Sequence, residues 1–226
     1  MLAKETATPF NDKNWIFEIK WDGYRAIAEI VKGKVELYSR KGNSFNDVYP
    51  SVVKELEKIS MDAVLDGEIV VTDKEGKPTF QLLQNYGNST GQLSYYVFDL
   101  LSLNGHNTCG LKLLERKELL KKLLPKNNIV HYSNHIVERG IDFFKESEKI
   151  NLEGILAKKS DSEYYPGVRT QDWLKIKHHH TVDVVIAGFT QPTGTRKYFG
   201  ALVLAMREGS LLKYQIGRAS CRERVW

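Results

Sequence analysis

Short stretches rich in β-branched and aromatic residues recur along the chain: "WIFEI", "RAIAEIV", "KVELYS", "AVLDGEIVV", "LSYYVFDLL", "EGILAKK" and "WLKIK". Runs of this length separated by Gly, Asn, Asp or Pro read as strands. Three segments break the pattern with apolar residues at helical spacing. They are "YPSVVKELEKI", with Pro50 near its start, "LKLLERKELLKKLL", which runs up to Pro125, and "IDFFKESEKI". Strands and helices so mixed predict an α+β fold built on antiparallel sheets. Beyond "HHHTVD" the pattern is strands alone: "VVIAGFT", a turn at "QPTGT", and "ALVLAMREGSLLKYQI", a hairpin through Glu208-Gly209. A boundary is therefore expected near Thr181, with a first domain over 1–181 and a second over 182–215. The remaining segment, 216–226, reads "IGRASCRERVW". It loses all hydrophobic periodicity and matches a translated sequencing adapter, so it is expected to be a non-native tail that leaves the second domain truncated.

Across 226 residues, 42% hydrophobic and 27% charged side chains place the chain among ordinary globular proteins and leave room for a sizeable core. The 33 basic against 28 acidic side chains leave +5, which permits a polyanionic partner without demanding one. Cys109 and Cys221 have no metal-like spacing and no disulfide framework. With no apolar run near 18 residues and no signal-peptide pattern behind Met1, a soluble cytoplasmic protein without a membrane partner is expected. His178, His179 and His180 follow a strand in mid-chain, and a solvated or phosphate-facing turn is the expectation there.

Several strands carry charges that folding alone does not call for. In "FEIKWDGYR" alternation sends Trp15, Phe17 and Ile19 to one face and Glu18 and Lys20 to the other. Asp22-Gly23 signals a turn, expected to bring Tyr24 and Arg25 back along the same strand edge. Two readings stand: a hairpin with surface charges, or a nucleophilic lysine whose cationic neighbours disfavour its charged form. In "VLDGEIVV", Asp66 and Glu68 share a face, which costs stability unless a cation lies beside them. Glu153 enters another apolar strand, and carboxylates at two distant places suggest a shared divalent cation. Lys175 and Lys177 share one face of "WLKIK", where two ammonium groups suit a phosphate. Phe98 is either a stacking face for a base or simply core.

The order "KWDGYR", "DGE", "YYVFD", "EGILAKK" and "WLKIK" resembles the covalent nucleotidyltransferases, specifically the ATP-dependent DNA ligases. Flanking text such as "YSRKGNSF", "HYSNHI", "YPGVRTQDWLKIKHHH" and "VVIAGFTQPTGTRKYFGALVLA" is similar to the ligase domain of the bacterial end-joining ligase, ligase D. The resemblance covers Met1 to about Tyr214. It implies an adenylation domain of nucleotidyltransferase fold, with ATP-grasp-like antiparallel sheets and helices, followed by a truncated OB-fold β-barrel.

The resemblance implies a role for each matching residue. Lys20 attacks the α-phosphate of ATP and carries AMP. Glu18 reaches the adenine amino group beside Ile19, Arg25 and Arg40 the sugar or phosphates, Glu68 the ribose, and Phe98 stacks on the base. Glu153, with Glu68, binds Mg2+ or Mn2+; Lys175 and Lys177 hold phosphate oxygens, and Arg169 assists near phosphates or DNA. Arg196 and Lys197 in "GTRKYFG" suit DNA phosphates. The partners implied are nicked or broken double-stranded DNA, a Ku-like end-binding protein and polymerase or nuclease domains, around a monomeric ligase that joins a 3′-hydroxyl to a 5′-phosphate in end-joining repair. An RNA ligase or capping-type nucleotidyltransferase shares the lysine motif. A non-catalytic nucleic-acid-binding module would explain the basic excess but leaves Glu68 and Glu153 unexplained.

Overall fold

The computed structural model describes residues 1–88, 90–178, 183–192, 198–209 and 211–219. The chain divides into two compact units, Met1–His178 and His179–Trp226. The first unit opens with β1 (Leu2–Glu5), β2 (Asp12–Ile19), β3 (Tyr24–Val31) and β4 (Lys34–Ser39), then α1 (Pro50–Leu56) and β5 (Ala63–Thr72). It continues through α2 (Phe80–Gln84), β6 (Gln92–Leu103), β7 (His106–Asn107), α3 (Leu113–Leu123), β8 (Val130–Tyr132) and β9 (His135–Glu138). It closes with α4 (Gly140–Lys149), β10 (Gly154–Lys159) and β11 (Arg169–Lys177). The three helices expected from apolar spacing are α1, α3 and α4. β1, β8, β9 and the five-residue α2 carry no clear signal in the sequence.

The strands form two sheets. One has five strands in the order β1-β11-β10-β2-β9, antiparallel apart from the β1–β11 pair. The other has six, β4-β3-β5-β6-β7 with β8 parallel to β6. The turn between β6 and β7 is Asn104-Gly105, both at positive φ (48° and 79°), the conformation a two-residue type I′ hairpin requires.

The expected hairpin at Asp22-Gly23 is not formed. β2 belongs to the five-stranded sheet and β3 to the six-stranded one, so the chain crosses from sheet to sheet there. A turn signal is local and specifies a reversal, whereas pairing is decided by the partner strands: β10 and β9 flank β2, and β4 and β5 flank β3. Gly23 makes the crossing possible, because a Cβ there would lie 2.0 Å from the Ile69 carbonyl oxygen.

Each sheet packs a helical layer. Phe17, Ile155, Ala157 and Ile176 form one core against Phe143 and Phe144 of α4. The six-stranded sheet buries Ala26, Ala28, Ile30, Leu65, Tyr95 and Val97, together with Val52 and Leu56 of α1 and Leu120 of α3. Met1, Phe98, Tyr164 and Trp173 join the sheets, since Phe98 lies on β6 and Trp173 on β11. β2 is consequently buried on both faces: Phe17 enters the α4 core, while Ile16 and Glu18 on the opposite face are buried as well. In the second unit β12 (Val185–Phe189), β13 (Leu202–Glu208) and β14 (Leu211–Ala219) form an antiparallel sheet. β14 continues four residues past Gln215, where the native sequence was expected to end. Thr181, where the boundary is expected, Arg196 and Lys197, expected at DNA phosphates, His179, His180 and the segment 220–226 lie outside the described residues.

Candidate active site

Lys20 follows the last residue of β2, and its placement is fixed from both sides. Its amide donates to the Gly154 carbonyl at 3.0 Å, and the next ring, Trp21, stacks on Tyr96 with centroids 3.6 Å apart. The Lys20 ammonium contacts the Glu153 carboxylate, and Lys177 reaches the other oxygen of Glu153 at 3.2 Å. Three of the residues expected at a phosphate-transfer site therefore stand together at the ends of β2, β10 and β11. Asp22 joins them: burial and then the charge of Glu153 push its carboxyl up, against the pull of Lys20 and Lys177. Lys175, on the same face of β11 as Lys177, pairs with Glu5 at 2.9 Å.

Arg25 does not turn toward Lys20. Because β3 pairs with β5, its guanidinium meets Asp66 through two hydrogen bonds of 2.9 and 2.6 Å, and it also donates to the Met1 carbonyl at 2.7 Å. Tyr164 donates to the same Asp66 at 2.7 Å. Here is the cation that two like charges on β5 required. Arg25, Arg40 and Glu68 line a cleft of about 1110 Å3 with Gly23, Tyr24 and Tyr86. Burial lifts the Glu68 carboxyl to about 8, outweighing the opposing charges of Arg25 and Lys20. In its protonated form this carboxyl presents a hydrogen-bond donor to the cleft. Lys20 and Asp22 both act on Glu68, which places the cleft beside the Lys20 cluster.

The expected base-binding residues are gathered in the interior. Glu18 is 1% exposed and accepts from Lys117 at 2.5 Å and Lys158 at 2.7 Å. Burial pushes its carboxyl up, yet the two ammonium groups prevail and hold it below the usual carboxylate range. Phe98, 5% exposed, packs with Trp173 and Tyr164 and carries Lys158 over its ring at 4.5 Å. Ile19 pairs with Ile155 of β10. Arg169 opens β11, away from Lys175 and Lys177, and its guanidinium donates to the Ala3 carbonyl. His178 departs from the solvated turn expected of it: its ring stacks on Phe144 at 3.9 Å and bonds Ser147 Oγ at 2.8 Å, because α4 covers the end of β11.

Among the described residues no group of three or more His, Cys, Asp or Glu side chains is gathered as a metal site. One carboxylate facing a phosphate-binding lysine nevertheless fits a hard cation that takes most of its ligands from substrate phosphates and water. Glu153 meets that description, with Asp22 beside it. The residues missed from sequence are Lys117, Lys158 and Arg116. Arg116 and Lys117 fall between Leu113 and Leu120 at i, i+3, i+4 and i+7, on the buried stripe of α3, and charges at stripe positions were the available signal.

Residues 1–177 match the family model described as the ATP dependent DNA ligase domain. The multifunctional non-homologous end joining protein LigD of Mycobacterium bovis is 37% identical over 198 residues, covering 87% of this chain and 26% of that protein. The chain therefore spans about a quarter of the length of such relatives. The SPbeta prophage-derived DNA ligase-like protein LigB of Bacillus subtilis is 32% identical, with 84% of this chain and 71% of that protein covered. Among solved structures, mycobacterial DNA ligase D complexed with ATP and MES superposes with a TM-score of 0.72 at 33% identity, over 97% of this chain and 71% of that one. The fold is the nucleotidyltransferase fold of those ligases, and the chain belongs to the ATP-dependent DNA ligase domain family.

Proposed function

We propose that this chain performs the nucleotidyl transfers of an ATP-dependent DNA ligase, joining a 3′-hydroxyl to a 5′-phosphate in end-joining repair of double-stranded DNA. The observation that carries the reading is the Lys20–Glu153–Lys177 cluster, set beside the Glu68 cleft in a chain of the DNA ligase domain family. Lys20 Nζ, as the free amine, forms a bond to the α-phosphorus of ATP as the bond to pyrophosphate breaks. The Glu153 carboxylate, which contacts the Lys20 ammonium, takes the proton that Lys20 gives up. Lys177, and Lys175 once released from Glu5, bind the phosphate oxygens on which charge develops. Glu68 meets the ribose, Glu18 the adenine amino group, Phe98 the base, and Arg25 and Arg40 the sugar–phosphate side of the cleft. Glu153, with Asp22 beside it, would hold a divalent cation, which would supply charge neutralisation on the transferred phosphate. AMP then passes to the 5′-phosphate of a nick, and attack by the 3′-hydroxyl releases it.

Among the described residues no helix is long and apolar enough to cross a membrane; it is the likeness to DNA repair proteins that supports a cytoplasmic, nucleoid-associated enzyme. Relatives named as multifunctional end-joining proteins support polymerase or nuclease domains and a Ku-like end-binding protein as partners. The test is incubation with α-labelled ATP followed by a nicked duplex. Label retained through acid denaturation and then transferred to the 5′-phosphate supports the reading. Absence of any covalent label from a folded wild-type chain contradicts it.

A further inference from the structure

Two successive carbonyls at the entrance of β10 tie the phosphate-site residues together. The Gly154 carbonyl accepts the Lys20 amide at 3.0 Å, and the Glu153 carbonyl accepts the His178 amide at 3.0 Å. The backbone at Glu153 therefore depends on His178, the residue that follows Lys177 at the end of β11. Strand ends fray when nothing holds them, yet the His178 side chain, just past the strand, is 1% exposed. Its ring is held on α4 by the Phe144 stack and by the 2.8 Å bond to Ser147 Oγ. Ser147 serves both segments. Its hydroxyl donates to the Phe144 carbonyl at 2.8 Å, and its own carbonyl accepts the amide of Leu152, the residue before Glu153, at 3.0 Å. A hydroxyl has one hydrogen and Phe144 receives it, so His178 Nε2–H is the donor to Ser147. The loop that carries Glu153 and the strand end that carries Lys177 thus meet on one serine.

We propose that His178, latched to Ser147, is a positioning residue that sets the Glu153 carboxylate between Lys20 and Lys177. The proposal rests on the nucleotidyltransferase reading above and adds a residue to its machinery. The side-chain partners of Glu153 are two lysines on flexible stems, so the direction of its carboxylate comes from the backbone that carries it. That backbone has little slack. Gly154 has φ 149°, and a Cβ there would lie 2.1 Å from the Ile176 carbonyl oxygen, so the chain enters β10 hard against β11. A slip at the end of β11 therefore moves Glu153 with it. Misplacing a reacting group by about 1 Å costs about a hundredfold in rate. Arg25 and Glu68 of the nucleotide cleft stand on β3 and β5 in the other sheet, so the latch acts on the rate at saturation and leaves ATP binding in place.

The experiment follows single-turnover formation of the labelled adduct on the full chain against ATP concentration, with thermal melting and amide hydrogen exchange alongside. Ser147→Ala removes the bond and leaves the ring stack. It should slow the saturated rate by about tenfold, while the ATP concentration for half-maximal rate moves by less than about twofold. His178→Phe keeps the stack without the donor and should be as slow. His178→Gln, whose amide N–H stands at the distance of Nε2, should label faster than His178→Phe. Exchange at the His178 amide should rise in Ser147→Ala. In a Glu153→Gln background Ser147→Ala should bring no further loss, because the latch acts through that carboxylate. A Ser147→Ala or His178→Phe chain that labels at the wild-type rate, whatever its melting temperature, overturns the proposal and assigns the pair to the core. The same tenfold loss in the Glu153→Gln background overturns it too. A wild-type chain that forms no adduct overturns the nucleotidyltransferase reading and the rate claim with it, whereas unchanged His178 exchange in Ser147→Ala overturns the latch and leaves that reading standing.

Discussion

Replacing Arg116 by methionine should destabilise the first unit more than any single surface change. Arg116 and Asp99 are both fully buried and meet through two hydrogen bonds of 2.7 and 3.0 Å. The third guanidinium nitrogen donates to the carbonyls of Leu111 at 2.6 Å and Ser162 at 2.9 Å. One side chain thus ties β6, the approach to α3 and the turn after β10. Methionine keeps the volume and removes all four bonds, leaving Asp99 buried and charged. Breaking a buried pair from one side costs about 3–5 kcal/mol, and each stranded carbonyl adds about 1 kcal/mol. The sum, about 5–7 kcal/mol, matches the whole stability of many domains. The double variant Asp99→Leu/Arg116→Met removes both charges, so its cost should fall to about 2–3 kcal/mol, giving a coupling of about 3 kcal/mol or more. Urea unfolding followed by tryptophan emission reads this as a midpoint shift of about 2.5–3.5 M for the single variant at an m-value of about 2 kcal/mol/M. A single-variant cost below about 1 kcal/mol, or a double variant no more stable than the single, would refute the assignment of this pair as a structural tie.

Glu68 should make stability fall as pH rises. Its carboxyl is lifted from 4.5 to about 8, so the folded chain binds a proton that the unfolded chain has lost across that window. The slope is bounded by about 1.4 kcal/mol per pH unit and is reduced by the partial exposure of the side chain. Melting temperatures of wild type and Glu68→Gln between pH 5 and 8 check it, the slope being smaller in the variant. Gly23→Ala puts a Cβ 2.0 Å from the Ile69 carbonyl oxygen, so the crossing between the sheets must shift. A loss of about 1–3 kcal/mol in denaturant titration is expected, with slower labelling by ATP because Lys20 lies three residues earlier.

The elements were legible wherever periodicity was strong. α3 and α4 carry apolar residues at helical spacing, and β5 and β6 are dense in β-branched, aliphatic and aromatic residues on either side of Asp66-Gly67-Glu68 and of Asp99, so each is visible in a short window. Asp22-Gly23 misleads because a turn signal says that the chain reverses and nothing about which strands it will pair with. Consequently the expected neighbourhood of Lys20 was wrong in one particular: Arg25 goes to Asp66 in the other sheet, and Glu153 comes to Lys20 from β10. The requirement for a cation beside Asp66 and Glu68 was legible from their shared face, and Arg25 meets it. Arg116 and Lys117 were hidden because a charge-rich helix reads as a solvated face unless its charges are placed on the stripe. His178 was hidden because burial by α4 is a contact between distant segments.

The central claim is that Lys20 carries the nucleotide, and the most direct test locates the adduct. The chain is incubated with ATP and a divalent cation, digested, and its peptides are mapped by mass spectrometry, with Lys20→Ala treated in parallel. The expected result is the mass of one adenylate on the peptide that contains Lys20, labile to hydroxylamine, and none in the folded variant. An adenylate on another peptide, or one that survives in Lys20→Ala, would contradict the account.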